Sequence, residues 1–230
     1  MIVNTDVGIC IITFKRSRQL LEMLPQIKER TLYPNYNIYI IVDFESDNLT
    51  LNALKESGLI EKLPIKKVEM FPSPAECVKA TNRCYSIGEE PYFAWLSDDM
   101  EVEEGWLQEA MKCMQTFPDK QGLVVFKDGI QNGRNACAGL VSRNFINKEL
   151  NDIFMDETYI HFGADLELFR KCKLINKVKY CPSSVVWHNH WAHPAKTGKK
   201  VEQDFIYKQS MKWRKRDNGI LEERTKKGFK

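Results

Sequence analysis

Continuous apolar runs of strand length alternate along this chain with stretches whose apolar residues recur at helical spacing, and that rhythm restricts the fold more than any other feature. Val7–Phe14 (VGICIITF), Asn37–Phe44 (NIYIIVDF), Ile65–Phe71 and Tyr92–Leu96 read as strands. Between them lie an amphipathic stretch with Leu20, Leu21, Leu24 and Ile27 on one face behind Ser17 as N-cap, a short helix from Leu49 to Ser57 stopped by Gly58, and a helix from Ala75 to Ile87 ended by Gly88. Strand, helix, strand in this order demands crossover connections, and crossovers place helices on both faces of a mostly parallel, twisted sheet. After Gly105 the pattern continues with a helix to about Phe117 and a strand from Gly122 to Phe126. It then loosens into a loop carrying Gly129, Asn132, Gly133, Arg134, Asn135 and Gly139. A short strand or helix near Ala138–Ile146, a helix over Ala164–Leu174 and a last strand over Val178–Trp187, interrupted by Pro182, complete the reading. The expectation is one α/β domain over residues 1–195 and a basic flap with a helical tail over 196–230.

At 230 residues, with 43% hydrophobic and 28% charged residues, the chain has an ordinary soluble composition and is long enough for one large domain. Val7–Phe14 is too short to span a membrane, and no basic region precedes a long apolar stretch, so a cytoplasmic location is expected. Seven scattered cysteines without a CxxC fit buried thiols in a reducing compartment and argue against a structural zinc site. The net charge of +3 is uneven. Residues 196–230 hold twelve Lys or Arg against five Asp or Glu, whereas the preceding part holds 22 against 26. A basic end suits a polyanion, a membrane surface met peripherally or an acidic partner, and equally a solvated helix face.

The fourth strand ends abruptly in Asp98-Asp99. Two adjacent carboxylates raise each other's pKa and cost desolvation unless a cation neutralises them, which points to a divalent metal; the alternative is a solvated turn leading to Gly105. Oxygen ligands at a strand end suit Mg²⁺ or Mn²⁺. In open α/β sheets ligands bind outside the carboxyl ends of the strands. The residues collected there are Thr13-Phe14-Lys15-Arg16, Asp43 to Asp47, Asp98-Asp99 and His188-Asn189-His190. Together they describe a pocket for a nucleotide and a metal-bound diphosphate. No GxGxxG and no GxxxxGK[ST] is present, which disfavours a dinucleotide Rossmann site and a P-loop.

Several segments resemble family 2 glycosyltransferases of the GT-A fold, the inverting, nucleotide-sugar-dependent class, over roughly residues 7 to 195. Val7 to Arg16 is similar to that family's first strand and Thr-Tyr-Asn-Arg turn, with Phe14 and Lys15 departing from it. Val42-Asp43-Phe44-Glu45-Ser46-Asp47 resembles its Val-Asp-Asp-Gly-Ser segment, with Phe44 and Glu45 departing. Ala80-Thr81-Asn82 resembles its Ala-Arg-Asn helix end, with Thr81 departing, and Leu96 to Leu107 resembles its DXD segment. Phe162 to Arg170 is similar to its Gly-Glu-Asp-x-Asp-Leu-x-x-Arg helix start, with Ala164 in place of a glutamate.

The resemblance implies a Rossmann-like GT-A domain that moves a sugar from a nucleoside diphosphate, UDP favoured, to an acceptor hydroxyl. Thr13, Phe14, Arg16, Asn82 and Asp98 become donor-binding positions, and Asp43 the acid that meets the base, usually uracil. Asp99 becomes the direct ligand of Mn²⁺ or Mg²⁺, with Asp98 and an imidazole from His188 or His190 assisting. Asp165 becomes the base that deprotonates the acceptor, with Glu167 as the fallback. An acid at a helix N-terminus is expected to keep a low pKa, and plain capping is its alternative role. His161 and His193 are weaker imidazole candidates, and Lys196, Lys199 and Lys200 are candidates for a flap over the phosphates. Trp106 and the loop from Gly129 to Gly139 are expected to face the acceptor or donor sugar, with Arg134 and Asn135 either hydrogen-bonding sugar hydroxyls or only closing a surface turn. The acceptor stays open between a glycan and a polyanion such as hydroxylated-base DNA. A nucleotidyltransferase, or a module that binds a nucleotide sugar or nucleic acid without turnover, remains the alternative.

Overall fold

A computed structural model describes residues 7–43, 48–71, 76–190 and 205–229 of the chain. In order its elements are β1 (Val7–Thr13), α1 (Ser17–Arg30), β2 (Tyr36–Val42), α2 (Asn48–Glu56), α3 (Leu59–Lys62), β3 (Ile65–Met70), α4 (Cys77–Ile87), β4 (Tyr92–Ser97), β5 (Met100–Val102), α5 (Trp106–Gln115), β6 (Leu123–Lys127), β7 (Gly139–Ser142), α6 (Arg143–Glu149), α7 (Ala164–Leu174), β8 (Val178–His188) and α8 (Phe205–Lys226). The eight strands form one sheet in the order β3-β2-β1-β4-β7-β6-β8-β5. β3, β2, β1 and β4 run parallel, β7 is antiparallel to both its neighbours, β6 and β8 are parallel, and β5 is antiparallel to β8.

The alternating burial of β1 explains why it reads as a continuous apolar run. Val7, Ile9 and Ile11 join a cluster with Leu20, Met23, Leu24 and Ile27 of α1 and Trp106, Leu107 and Met111 of α5. Cys10 faces the opposite cluster, with Phe93 and Trp95 of β4, Tyr85 of α4 and Phe169 of α7. A strand covered on both faces has no polar side to show, which is the rule for parallel sheets. Each fully buried Leu or Met of α1 contributes roughly 1.5–3 kcal/mol, so a charge at Leu24 would detach that helix.

Several sequence expectations shift by a residue or an element. Ser17 is the first helical residue, and Arg16 occupies the N-cap without a side-chain cap bond. The ambiguous segment near 138–146 is both things in succession, β7 and then α6. Pro182 interrupts pairing as expected: Phe126 faces Cys181, and Lys127 faces Val185. Trp106 is fully buried and donates its indole N–H to Thr31 Oγ1 at 3.0 Å, so it is a core residue and does not face a sugar. Among the described residues no helix is long and apolar enough to cross a membrane. The boundary expected at 195/196 lies outside the described residues.

Candidate functional site

The carboxyl ends of β1, β2 and β4 open on one cleft of about 1010 Å³, whose lining also includes the start of α7, the end of β8 and one face of α8. β1 delivers Thr13 and Phe14. Lys15 then takes a left-handed conformation (φ 53°) before Arg16 begins α1. β2 delivers Asp43, whose backbone N–H donates to the Thr13 carbonyl at 2.8 Å. Asp43 is buried, and among the described residues its Oδ1 has no hydrogen-bond partner. Burial, reinforced by the nearby Glu76 carboxylate, pushes its pKa up to about 8.

Asp98 and Asp99 form a tight turn between β4 and β5, so the chain passes from them into a strand and not into a solvated turn toward Gly105. The antiparallel pairing of β5 with β8 sets Met100 opposite His188. That register brings His188 Nε2 to 3.5 Å from Asp99 Oδ1, and the Asn189 N–H donates to the Asp99 carbonyl at 2.9 Å. The His190 ring packs edge-on against His188 at 5.4 Å and against Tyr207 of α8 at 5.3 Å. Both imidazoles therefore line the cleft beside the acid pair.

A cation already stands between the two carboxylates. Arg16 Nη1 donates to Asp98 Oδ1 at 2.9 Å and to Asp99 Oδ2 at 3.3 Å. The acid pair does have the neutralising partner that its burial demands, but in this structure the partner is an arginine. Burial raises the Asp98 pKa to about 6, with Asp99 adding to the rise and Arg16 opposing it. Burial also works against Asp99, yet His188 and Arg16 outweigh it and hold that carboxyl below the usual range. Among the described residues no three His, Cys, Asp or Glu groups form a ready metal cage. The remaining oxygens nevertheless fit a hard dication: Asp98 Oδ2 and Asp99 Oδ1 are buried without hydrogen-bond partners, and His188 supplies a nitrogen donor beside them.

Also in the lining, Asp165 lies in the first turn of α7, which Gly163 opens in the left-handed region (φ 88°). A Cβ at that glycine would meet the Tyr159 ring at 3.2 Å, so both the φ and the space favour glycine. Asp165 Oδ2 accepts a 2.7 Å hydrogen bond from Asn135 Nδ2. Its pKa is raised, because burial outweighs Asn135 and the backbone N–H groups; the helix terminus does not keep it low as expected. Asn135 thus contacts the acid, while Arg134 closes its own turn by donating to the Gln131 and Ile130 carbonyls.

Two expected site residues are employed elsewhere. Glu167 is buried on the far side of α7, where it accepts from Tyr159 Oη at 2.7 Å and pairs with Lys171 and Arg224 at 2.6 and 2.8 Å. It lines none of the cleft, and its fallback role as base has no geometry to support it. Asn82 points away from the cleft. Its amide donates to the Met155 carbonyl at 2.7 Å and accepts from the Met155 N–H at 3.1 Å, which ties α4 to the 155–157 turn. Phe44 to Asp47, His193, Lys196, Lys199 and Lys200 lie outside the described residues.

Sequence reasoning missed what α8 does. Asp217, fully buried, accepts from the backbone N–H groups of Ile160 at 3.3 Å, His161 at 2.9 Å and Phe162 at 2.9 Å, and pairs with Arg216 at 2.7 Å. The segment it grips leads directly into Gly163 and Asp165. His161 lines the cleft with its Nδ1 unpartnered, and burial lowers its pKa to about 4, so the ring is neutral at physiological pH. An isolated Asp in a lysine-rich tail carries no sequence signal for this role.

The family model described as glycosyl transferase family 2 matches residues 8–171. Among solved structures, a mannosyltransferase, PcManGT from Pyrobaculum calidifontis in complex with GDP-Man and Mn²⁺, superposes with a TM-score of 0.66 at 13% identity, over 88% of this chain and 59% of that one. S. aureus TarS 1-349 in complex with UDP-GlcNAc gives 0.65 at 12% identity, over 88% and 60%. A further structure of S. aureus TarS gives 0.64 at 14%, over 80% of this chain and 36% of that one. The chain therefore spans between about a third and three-fifths of the length of these structures, and at such identities the likeness is one of fold. No curated protein matches the sequence.

Proposed function

The chain belongs to glycosyl transferase family 2, and from that membership we propose that its cleft transfers a sugar from a nucleoside diphosphate, UDP favoured, to an acceptor hydroxyl with inversion at the anomeric carbon. The observation that carries the reading is the meeting, in the lining of one cleft, of an acid pair with an imidazole at the strand ends and a half-buried acid at a helix start. Asp43, buried with one open carboxylate oxygen, suits the N–H of a pyrimidine base.

Asp99, Asp98 and His188 would hold Mn²⁺ or Mg²⁺, which when bound neutralises charge on the leaving diphosphate. Arg16, now on the two carboxylates, lies at the same end of the cleft and can turn its guanidinium toward a phosphate oxygen. Asp165 takes the acceptor proton. A raised pKa suits that task, because a base works best when its pKa approaches the operating pH. Asn135 fixes one carboxylate oxygen and so orients the group for the hydroxyl.

The test is a screen of nucleotide sugars with Mn²⁺ for donor hydrolysis and transfer, with Asp99→Ala and Asp165→Asn beside the wild type. Asp99→Ala should abolish turnover. Asp165→Asn should bind UDP as well as the wild type while turnover falls roughly 10²–10⁴-fold. Release of pyrophosphate from a nucleoside triphosphate would identify a nucleotidyltransferase instead. Tight nucleotide binding with no turnover on any donor would identify a binding module, and full activity in Asp165→Asn would remove that residue as the base.

A further inference from the structure

The family match ends at residue 171, whereas α8 begins at Phe205, so what α8 contributes to the cleft lies outside the matched segment. It is held firmly. Asp217 grips the 160–162 backbone, Arg224 pairs with Asp156 and Glu167 at 2.6 and 2.8 Å, Arg170 donates to Thr225 Oγ1 at 2.8 Å, and Leu221 packs into the core. From this fixed helix, Tyr207, Ser210, Arg214 and Asn218 face the cleft.

Arg214 stands apart from the other cations of the lining. Arg16 is occupied by Asp98 and Asp99, and Arg18 pairs with Glu22 at 3.8 Å. Among the described residues Arg214 meets no carboxylate: its Nη1 lies 3.8 Å from Met211 Sδ, and its guanidinium lies over the Phe162 ring at 5.9 Å. Phe162 precedes Asp165 by three residues and both line the cleft, so this charge stands beside the segment that carries the acid. Lys208, Lys212 and Lys215 are exposed on the adjoining turns, and no Asp or Glu occurs from Phe205 to Arg216. The positive potential therefore extends outward from Arg214 without interruption along α8.

We propose that α8 builds the acceptor half of the cleft and that Arg214, with Asn218 beside it, receives a phosphate ester carried by the acceptor close to its reacting hydroxyl. A planar guanidinium offers two parallel N–H donors to an oxyanion, and Asn218 adds an amide donor. The several lysines nearby favour a doubly charged phosphate over a single carboxylate. The inference rests on the glycosyltransferase reading for the meaning of the word acceptor, but the anion site is defined by its own residues.

The experiment measures two affinities on the full chain. UDP binding with Mg²⁺ is followed by calorimetry. Binding of sn-glycerol 3-phosphate to the protein, with UDP present, is followed by ³¹P line broadening, and D-glycerate is the carboxylate competitor. Wild type should bind the phosphate and prefer it to glycerate. Arg214→Gln should weaken phosphate binding about tenfold and leave UDP affinity unchanged, whereas Lys226→Gln, at the far end of α8, should alter neither. UDP binding with no phosphate binding, equal phosphate affinity in Arg214→Gln, or a preference for glycerate would overturn the proposal. Arg214-dependent phosphate binding without UDP binding would keep the anion site and remove the donor reading.

Discussion

Asp43 follows β2 and carries an oxygen that no group among the described residues satisfies, and its pKa near 8 means that the empty protein holds it largely protonated at neutral pH. Its folded pKa lies above the unfolded value, so the stability it contributes is complete below about 3.8 and is lost as pH rises through about 8. Asp43→Asn should therefore raise the melting temperature of the empty protein at pH 8, by about 2–4 °C for each kcal/mol gained, and leave it unchanged at pH 4. A base N–H needs the carboxylate, so UDP affinity should climb with pH up to about 8 in the wild type, with proton release seen by calorimetry in buffers of different ionisation heat. Asp43→Asn should flatten that profile; a pH-independent wild type would remove Asp43 from the base site. Arg16 carries a second residue-level expectation. Its guanidinium occupies the acid pair, so Arg16→Gln should tighten Mn²⁺ binding to the nucleotide-free protein about tenfold, by removing a like charge a few ångströms from the dication. Unchanged Mn²⁺ affinity would mean that the metal does not use these carboxylates.

At the scale of elements, legibility followed locality. β4 and its acid pair were readable because an apolar run that stops at two aspartates is a contiguous signal. β5, three residues long, was not, because Met100, Glu101 and Val102 become a strand only by pairing with Val186 to His188 more than eighty positions away. That pairing is what brings His188 to Asp99. The two acids of α7 were readable as candidates, with Asp165 ahead of Glu167 on the resemblance, but their surroundings were not: two residues apart on a helix, they point to different sides, Asp165 to Asn135 and Glu167 to Arg224. The clamp by Asp217 was invisible for the same reason as β5. Its removal should be costly, because Asp217→Ala leaves three half-buried backbone donors without their acceptor and unpairs a half-exposed Arg216. A loss of roughly 2–3 kcal/mol is expected from removing charge-assisted hydrogen bonds of this kind. Hydrogen exchange resolved to Ile160, His161 and Phe162 should accelerate far more than that of β1; protection unchanged in this segment would show that the clamp is dispensable.

For the whole molecule, the mostly parallel sheet and the two-sided core followed from the alternation of strands and helices, and the cleft lies where parallel strand ends lead one to look, whereas the strand order did not follow from it. What the rhythm could not convey is that the last helix closes the architecture. Residues read as a solvated basic tail place Leu221 in the core and Arg224 between Asp156 and Glu167. Deleting residues 205–230 should therefore abolish donor turnover and lower the cooperativity of unfolding, measured by urea titration. Neutralising Lys226 and Lys227 at the helix end should leave both intact. A truncated chain that unfolds like the full one would show that α8 is an appendage.

The grip of Asp217 on residues 160–162 also has a consequence in time. The carboxylate that satisfies these three N–H groups is encoded some fifty-five residues after them, an interval that a ribosome covers in roughly 3–11 s at 5–20 residues per second. During that interval the sheet ends carrying Asp43, Asp98 and Asp99 have all been synthesised, while the turn before Asp165 lacks its anchor. On the proposed reading, the nucleotide end of the cleft is thus set to mature before the proton-accepting end, and a nascent chain stalled before Asp217 should capture a UDP-sugar without being able to transfer its sugar.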